Sequence, residues 1–321
     1  MRLMISGASG FLGSALLRRL VERRDREVVA IFRKLPAGPC IDSGYETLIG
    51  TLDRDEQWRG IPRDCHAVIH TAARVHIMKD SAANPLAEFR RVNVDGTLNL
   101  ANRCAGEGVR RFIFISTLKV NGESTADGQV FGPDDPVLPS DPYSVSKWEA
   151  EQGLHKIASR TGMQVVILRP PLVYGSGVKG NFLSMLRGLR RGFPLPLGGI
   201  NNRRSMIYLD NLVDLITVCI DHPAAANKTF LASDGHDLST SELLYRLGRS
   251  MGRPAKLFAL PPLMLRAFAA GLGKADVARR LCESLCADIS KTRQLLHWNP
   301  QISVEDGLRI TAESYLRETR I

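Results

Sequence analysis

The chain has 321 residues, enough to bury a large core as one α/β domain or two closely joined ones. Its 44% hydrophobic and 24% charged content excludes a disordered or low-complexity protein. Forty-three Lys and Arg against 33 Asp and Glu give a formal net charge of +10, a balance suited to anionic ligands such as dinucleotides, nucleotide-sugars, nucleic acids or an acidic membrane surface. The arginine pairs, among them Arg18-Arg19, Arg23-Arg24, Arg110-Arg111 and Arg279-Arg280, are scattered and lack interleaved aromatics, so no nucleic-acid partner is expected.

The six cysteines form no C-x-x-C pair and have no histidine at zinc spacing, so reduced, mostly buried thiols in a cytoplasmic protein are expected, and no metal site. The first strand starts at residue 2, which leaves no room for a signal peptide. No run reaches the roughly 18 apolar residues of a membrane span. The nearest, Leu257 to Leu272, contains Pro261, Pro262 and Arg266; it reads as a packed helix, and no stable membrane insertion is expected.

In chain order, Leu3 to Ile5 reads as a buried strand, Gly7, Gly10 and Gly13 as a G-x-x-G-x-x-G turn, and Leu12, Leu16, Leu17 and Leu20 as the apolar side of a helix. A glycine turn between strand and helix brings the backbone close to a pyrophosphate, at the positive end of the helix dipole. Glu27 to Lys34 is a second β-rich run. An acidic residue at the end of such a strand would accept hydrogen bonds from an adenosine ribose. Here Arg33 and Lys34 stand instead, which fits a 2′-phosphate and favours NADP(H) over NAD(H), unless the two cations simply begin a solvent loop.

A short strand follows near Glu46 to Ile49, and Ala67 to Ala73 is a buried strand ending in small residues. Phe89 to Ala105 has the pattern of one amphipathic helix. Asn93 within it is either a surface amide or one that interrupts backbone bonding to hold water or a catalytic lysine. The next strand, Arg111 to Thr117, carries hydroxyls at its carboxyl end, where ligands sit in open parallel sheets. After the loop Asn121 to Asp141, Pro142 marks a helix start, and Tyr143 and Lys147 fall on one face a turn apart. An ammonium beside a phenol stabilises the phenolate and lowers the tyrosine pKa. Val165 to Gly175 reads as a further strand and Met206 to Leu209 as another. Helices are expected around 241–249, 262–272, 289–296 and 304–316.

With these residues in place, the chain resembles the extended short-chain dehydrogenase/reductase superfamily, in its nucleotide-sugar epimerase/dehydratase branch, over nearly its whole length. The marks are Gly7-Ala-Ser-Gly-Phe-Leu-Gly13, His70-Thr-Ala-Ala73, Asn93-Val-Asp-Gly-Thr97, Ser116-Thr117 before Val120-Asn-Gly122, Tyr143-Ser-Val-Ser-Lys147, Arg169-Pro170 with Val173-Tyr-Gly175, Arg204 before Ile207-Tyr-Leu-Asp210, and Asp288-Ile-Ser-Lys291 leading to Trp298-Asn-Pro300. The resemblance implies an α/β, Rossmann-type doubly wound parallel sheet with a smaller, α-rich C-terminal substrate-binding lobe. Residues 1–175, completed by about 205–235, would form the dinucleotide domain, and 176–204 with 236–321 the lobe.

Carried over by position, the resemblance implies Tyr143 as acid/base and Lys147 as the residue that binds the nicotinamide ribose. Thr117 would hydrogen-bond the reacting sugar hydroxyl, with Ser116 as its neighbour. Gly7, Ser9, Gly10, Phe11, Leu12 and Gly13 would receive the dinucleotide, joined by Thr71, Ala72, Ala73, Asn93 and Pro170, with Arg33, Lys34 and Leu52 at the adenosine end. Asn181 and Arg204 match positions that hold the nucleotide diphosphate. The chain departs from the pattern after the second strand, where the acidic residue is missing, at Thr51 or Leu52, where an aspartate is expected, and at Arg279 and Arg280, whose register against a second diphosphate arginine is uncertain.

The chemistry so implied is hydride transfer at C4 of a UDP-sugar by a homodimer. Arg33 and Lys34 favour an NADPH-dependent UDP-4-keto-6-deoxy-N-acetylhexosamine 4-reductase of surface polysaccharide biosynthesis; a UDP-glucose or UDP-N-acetylglucosamine 4-epimerase is the alternative. Leu118-Lys119 after Thr117 speaks against a 4,6-dehydratase, which usually has Asp-Glu there. A non-enzymatic dinucleotide sensor is the remaining class, and such proteins tend to lose the tyrosine or lysine that this chain keeps.

Overall fold

The computed structural model describes residues 1–34, 44–51, 60–62, 64–75, 84–271 and 275–319. Seven strands build one parallel sheet: β1 (Arg2–Ser6), β2 (Glu27–Phe32), β3 (Glu46–Ile49), β4 (Cys65–His70), β5 (Arg111–Ile115), β6 (Gln164–Arg169) and β9 (Lys228–Leu231). Their order is β3-β2-β1-β4-β5-β6-β9, so the chain winds outward from β1 in one direction, then returns and winds outward from β4 in the other. That reversal puts the carboxyl ends of β1 and β4 side by side, with Ser6 in register with His70. In open α/β sheets this crevice is where ligands bind.

The strands are apolar on both faces because both are covered. On one face Leu3, Ile5, Val28, Ala30 and Ile69 pack against Leu16 and Leu20 of α1 (Phe11–Arg23) and Leu212 and Ile216 of α6 (Leu209–Asp221). On the other, Met4, Val29, Val68, Phe112, Phe114 and Ile167 pack against Leu100 of α3 (Gly96–Gly106) and Leu154 and Ile157 of α4 (Pro142–Thr161). A third core gathers Tyr174, Phe182, Tyr208, Leu244, Leu247 and Leu308 from the two-stranded pair β7 (Leu172–Tyr174) and β8 (Met206–Tyr208), α5 (Gly180–Arg191), α7 (Thr240–Ser250) and α11 (Val304–Glu318). The remaining helices are α8 (Pro262–Gly271), α9 (Ala275–Cys282) and α10 (Ser290–Leu296). Among the described residues no helix is long and apolar enough to cross a membrane. Cys65, Cys104, Cys219, Cys282 and Cys286 form no disulfide among the described residues, and Cys40 lies outside them.

The sequence pattern merges elements that the structure separates. The single helix expected over Phe89 to Ala105 is α2 (Pro85–Arg90), a π-helical turn (Arg91–Asp95) and then α3. The strand expected over Val165 to Gly175 breaks into β6 and β7 at Pro170-Pro171, where two residues in a row have no amide hydrogen to give to a ladder. The helices α5 and α9 and the strand β9 were not anticipated. In α5 the cue was present, since Phe182, Leu186 and Leu189 are buried at helical spacing; β9 offers only Phe230 and Leu231 as apolar residues.

The glycine turn after β1 passes the end of β4 with no room for side chains. A Cβ on Gly13 would lie 2.1 Å from the Gly7 carbonyl oxygen and 2.8 Å from Thr71 Oγ1. Gly13→Ala is therefore expected to destabilise the protein by about 1–3 kcal/mol through overpacking against backbone. Denaturant unfolding of the two proteins checks this; equal midpoints would show that the turn relaxes without strain.

Candidate active site

The glycine turn is built on the end of β4. Gly7 has φ +77°, and a Cβ there would sit 2.5 Å from the Ala72 nitrogen. The Gly10 amide donates to Gly7 O (2.9 Å), and the Thr71 hydroxyl donates to Ser6 O (2.7 Å), so the turn is held by backbone and one side chain. Gly10 is the N-cap of α1; no side chain caps it and its first turn holds no acid. The helix thus offers its positive end to an anion. Ser9, Gly10 and Phe11 line a cleft there, faced by Ser176, Gly177, Lys179 and Asp210.

Arg33 and Lys34 directly follow β2 and are both exposed. Leu52 lies outside the described residues. Ala72 and Ala73 are half-buried beside the turn, and Leu12 lies in the first turn of α1, packed on the core. Pro170 is buried and its carbonyl accepts from the Leu118 amide at 2.9 Å.

Asn93, fully buried in the π-helical turn, spends its amide on structure. Its Oδ1 accepts from the Arg74 amide (2.7 Å), and its Nδ2 donates to Arg74 O (3.0 Å) and Ser146 Oγ (3.0 Å). None of these bonds reaches Lys147. Asn93 is therefore not the surface amide of one reading; the regular helix bonding is interrupted around it, and its side chain pins the segment after β4 to α4.

The start of α4 is fixed by a capping box. Asp141 Oδ1 accepts from the Ser144 amide (2.6 Å), Ser144 Oγ accepts from the Asp141 amide (3.2 Å), and Pro142 occupies the first turn. This places Tyr143 and Lys147 one turn apart on one face. The Tyr143 ring stands edge-on to Phe89 with centroids 6.1 Å apart. Lys147 is 1% exposed, and its Nζ lies 4.0 Å from the Phe114 ring centroid. Its ammonium makes no hydrogen bond among the described residues, so donors remain for an oxygen-rich ligand such as a ribose.

Thr117, just past β5, is nearly buried and its Oγ1 accepts from the Lys119 amide at 3.3 Å. Two contacts hold its segment against α4. Lys119 Nζ pairs with the capping Asp141 (2.7 Å), and Ser116 Oγ donates to Glu151. The structure therefore brings Thr117, Tyr143 and Lys147 to two adjoining elements at the carboxyl end of the sheet. Asn181 is exposed in the first turn of α5. The Arg204 Nη1 donates to the carbonyls of Arg280 and Glu283 (both 2.9 Å), tying it to the end of α9.

The sequence pattern of the NAD dependent epimerase/dehydratase family matches residues 3–232. A UDP-glucose 4-epimerase of Vibrio cholerae is 40% identical over 316 residues, covering 98% of this chain and 95% of that protein. The chain belongs to the NAD-dependent epimerase/dehydratase family. More distant relatives include an Escherichia coli O157:H7 N-acetyl-α-D-glucosaminyl-diphospho-ditrans,octacis-undecaprenol 4-epimerase, 25% identical over 80% of this chain and 75% of that one. The fold matches a UDP-glucose 4-epimerase of Thermotoga maritima solved with UDP-glucose (TM-score 0.79, 22% identity, 100% of both chains). It also matches a Bacillus cereus UDP-glucuronic acid 4-epimerase in complex with NAD (TM-score 0.79, 21% identity, 100% and 98%).

In this epimerase/dehydratase the ionisable site residues do not follow the simple pairing expected from spacing. Burial, aided by the Asp141 charge, pushes the Tyr143 phenol up. Burial also pulls Lys147 down to about 7, opposed by the Glu151 charge. Desolvation penalises both charged forms, and it outweighs the through-space help each could give the other.

Two residues that the sequence offers only as marks of the resemblance, His70 and Thr97, extend the site. Thr97 Oγ1 donates to Asn93 O (2.7 Å), so it can only accept from His70 Nε2 (2.9 Å); the ring is neutral with its proton on Nε2, and Nδ1 accepts from Ser6 Oγ (2.5 Å). Full burial, with Lys147 nearby, lowers His70 to about 3. Because the folded state resists protonation below the ordinary histidine pKa, this contribution to stability is complete above about pH 6.5 and declines as pH falls toward 3. His70→Gln is expected to cost stability at pH 7 and to flatten the loss between pH 6.5 and 5, which reaches about 2 kcal/mol from this group. Urea unfolding at both pH values reads it; parallel curves would mean His70 protonates without penalty.

Proposed function

We propose that the chain is a UDP-sugar 4-epimerase acting on UDP-glucose or UDP-N-acetylglucosamine. The observation that carries the reading is the joining of Tyr143 and Lys147, on one face of α4, to the Thr117 segment bonded to the same helix. The 40% identity to the Vibrio epimerase across 98% of the chain favours it over other reactions of the family. The glycine cradle, the uncapped α1 terminus and the hydrogen-bond donors of Lys147 fit a nicotinamide dinucleotide.

When bound, the dinucleotide supplies the hydride acceptor and donor at C4 and, oxidised, a positive charge beside the site. Thr117 Oγ1 orients the C4 hydroxyl. Tyr143 takes the hydroxyl proton as the alcohol becomes a ketone, and returns it when the ketone is reduced on its other face. Lys147 holds the ribose and adds positive charge near the phenolate. Residues 176–204 and 236–321 would form the sugar-nucleotide lobe, with Asn181 and Arg204 at the diphosphate.

A second reading, an NADPH-dependent 4-ketoreductase on a UDP-4-keto-6-deoxy-N-acetylhexosamine, is favoured by one feature: Arg33 and Lys34 stand exposed where an acidic residue would select NAD.

Incubation with UDP-glucose or UDP-N-acetylglucosamine and catalytic NAD⁺, followed by NMR of the sugar, tests the choice. Formation of the C4 epimer without net dinucleotide consumption supports the epimerase; stoichiometric NADPH loss with the keto-sugar and no epimer supports the reductase. In either case Tyr143→Phe is expected to lower kcat roughly 10²- to 10⁴-fold while dinucleotide binding persists. Retained turnover would remove Tyr143 from the chemistry.

A further inference from the structure

Behind the reacting residues lies a buried ionic cluster that the mechanism leaves unused. Glu151 is fully buried, one turn beyond Lys147 on α4. Its carboxylate accepts from Arg169 in a fork, with Nη2 to Oε2 at 2.5 Å and Nε to Oε1 at 3.0 Å, and from Ser116 Oγ. Arg169, 3% exposed, also donates to Asn121 Oδ1 (3.1 Å) and Pro133 O (3.3 Å), while Asn121 Nδ2 donates to Gly132 O (3.0 Å). One carboxylate thus joins α4, the end of β6 and the segment that carries Thr117.

Taking such charges out of water is costly, and replacing a buried pair with apolar residues is often no loss of stability. The cluster is thus better explained by what it places than by how much it stabilises. Around Lys147 the titratable and charged groups are His70 from β4 and, on α4 itself, Tyr143 one turn before and Glu151 one turn after; the neutral Phe114 ring faces it from β5, and Arg169 of β6 acts through Glu151. His70 stays neutral. Glu151 is the one anion opposing the desolvation of Lys147.

We propose that Glu151 is a positioning residue of the reaction: clamped by Arg169, it holds the Ser116-Thr117 segment against α4 and sets a carboxylate one helical turn from the Lys147 ammonium as its counter-charge. The catalytic part of this assignment rests on the 4-epimerase reading; the counter-charge part does not.

Glu151→Gln keeps the shape and an acceptor oxygen while removing the charge. Turnover of UDP-glucose is expected to fall roughly 10- to 100-fold through misplacement of Thr117, with KM changed less than about threefold. The high-pH limb of kcat, where Lys147 loses its proton, is expected to move about one unit lower. Ser116→Ala, which breaks only the hydroxyl link, lowers kcat and leaves that limb in place.

Independently of any substrate, a ¹³C NMR titration of the Lys147 side chain in the free protein is expected to show its midpoint about one unit lower in Glu151→Gln. Should that variant fail to fold, Glu151→Asp keeps the charge but draws the carboxylate back from Ser116: kcat is expected to fall while the Lys147 midpoint moves less than about half a unit, and unchanged kcat overturns the proposal. In Glu151→Gln, a kcat loss with limb and midpoint unmoved makes Glu151 merely structural and overturns the proposal, as does unchanged kcat. A shifted midpoint in a protein that turns over no UDP-sugar removes the epimerase reading and leaves the counter-charge assignment standing.

Discussion

The backbone contact between the glycine turn and the end of β4 is the constraint on which the rest of the structure depends. Gly7 and Gly13 approach Ala72 and each other so closely that no Cβ fits, and the Thr71 hydroxyl closes the gap by bonding the last carbonyl of β1. This contact sits where the strand order reverses, so it fixes the crevice floor and the direction of α1 at once. From there the hydrogen-bond chain Ser6, His70, Thr97 and Asn93 runs from the central strands to α4, and Asn93 ties the segment after β4 to Ser146. The glycine turn and the Tyr143 helix are therefore parts of one buried polar network. A change at either end is felt at the other through groups that cannot be left unpaired without a penalty.

Burial is the second theme. Lys147, Glu151, Arg169 and His70 are all withdrawn from water beside Thr117 and Tyr143. A protein selected for stability alone gains little from such groups. Their cost is tolerated because the low dielectric makes each remaining charge act strongly on its neighbours. The ordinary lysine and tyrosine pKa values, both near 10, are driven in opposite directions by the same desolvation, lysine down and tyrosine up.

The sequence made the local parts of this arrangement legible because they are written at short spacing. The strand, glycine turn and helix at residues 2–23 and the Tyr143/Lys147 pair follow from periodicity and from one helical turn. Glu151, four residues beyond Lys147, was equally readable as a neighbour on that face, but its role needs Arg169 from a strand 18 residues later, a contact that no periodicity encodes. For Asn93 the interruption of the helix is legible, but its partners are not, since Arg74 and Ser146 come from segments far apart in sequence. The direction of the Tyr143 shift depends on burial, and spacing carries no measure of depth. Strand breaks at Pro170 were visible in the residues themselves and were passed over because the apolar run continues on both sides.

These opposing shifts bear on what kind of hydride chemistry the site suits. A base that must remove a proton from one face of a sugar and return it after the ring turns needs both protonation states within reach, which a tyrosine raised by burial does not have by itself. Positive charge close to the phenolate restores the balance, and two sources stand in the proposed mechanism: Lys147, held protonated against its own burial, and the oxidised nicotinamide. In that proposed mechanism the phenolate would be favoured while the positive charge is present and the sugar is an alcohol, and the phenol once that charge is gone. Proton transfer at Tyr143 would then be coupled to the redox state of a bound dinucleotide through electrostatics, in both directions. An epimerase uses that symmetry twice in each turnover, whereas a reductase needs one direction only.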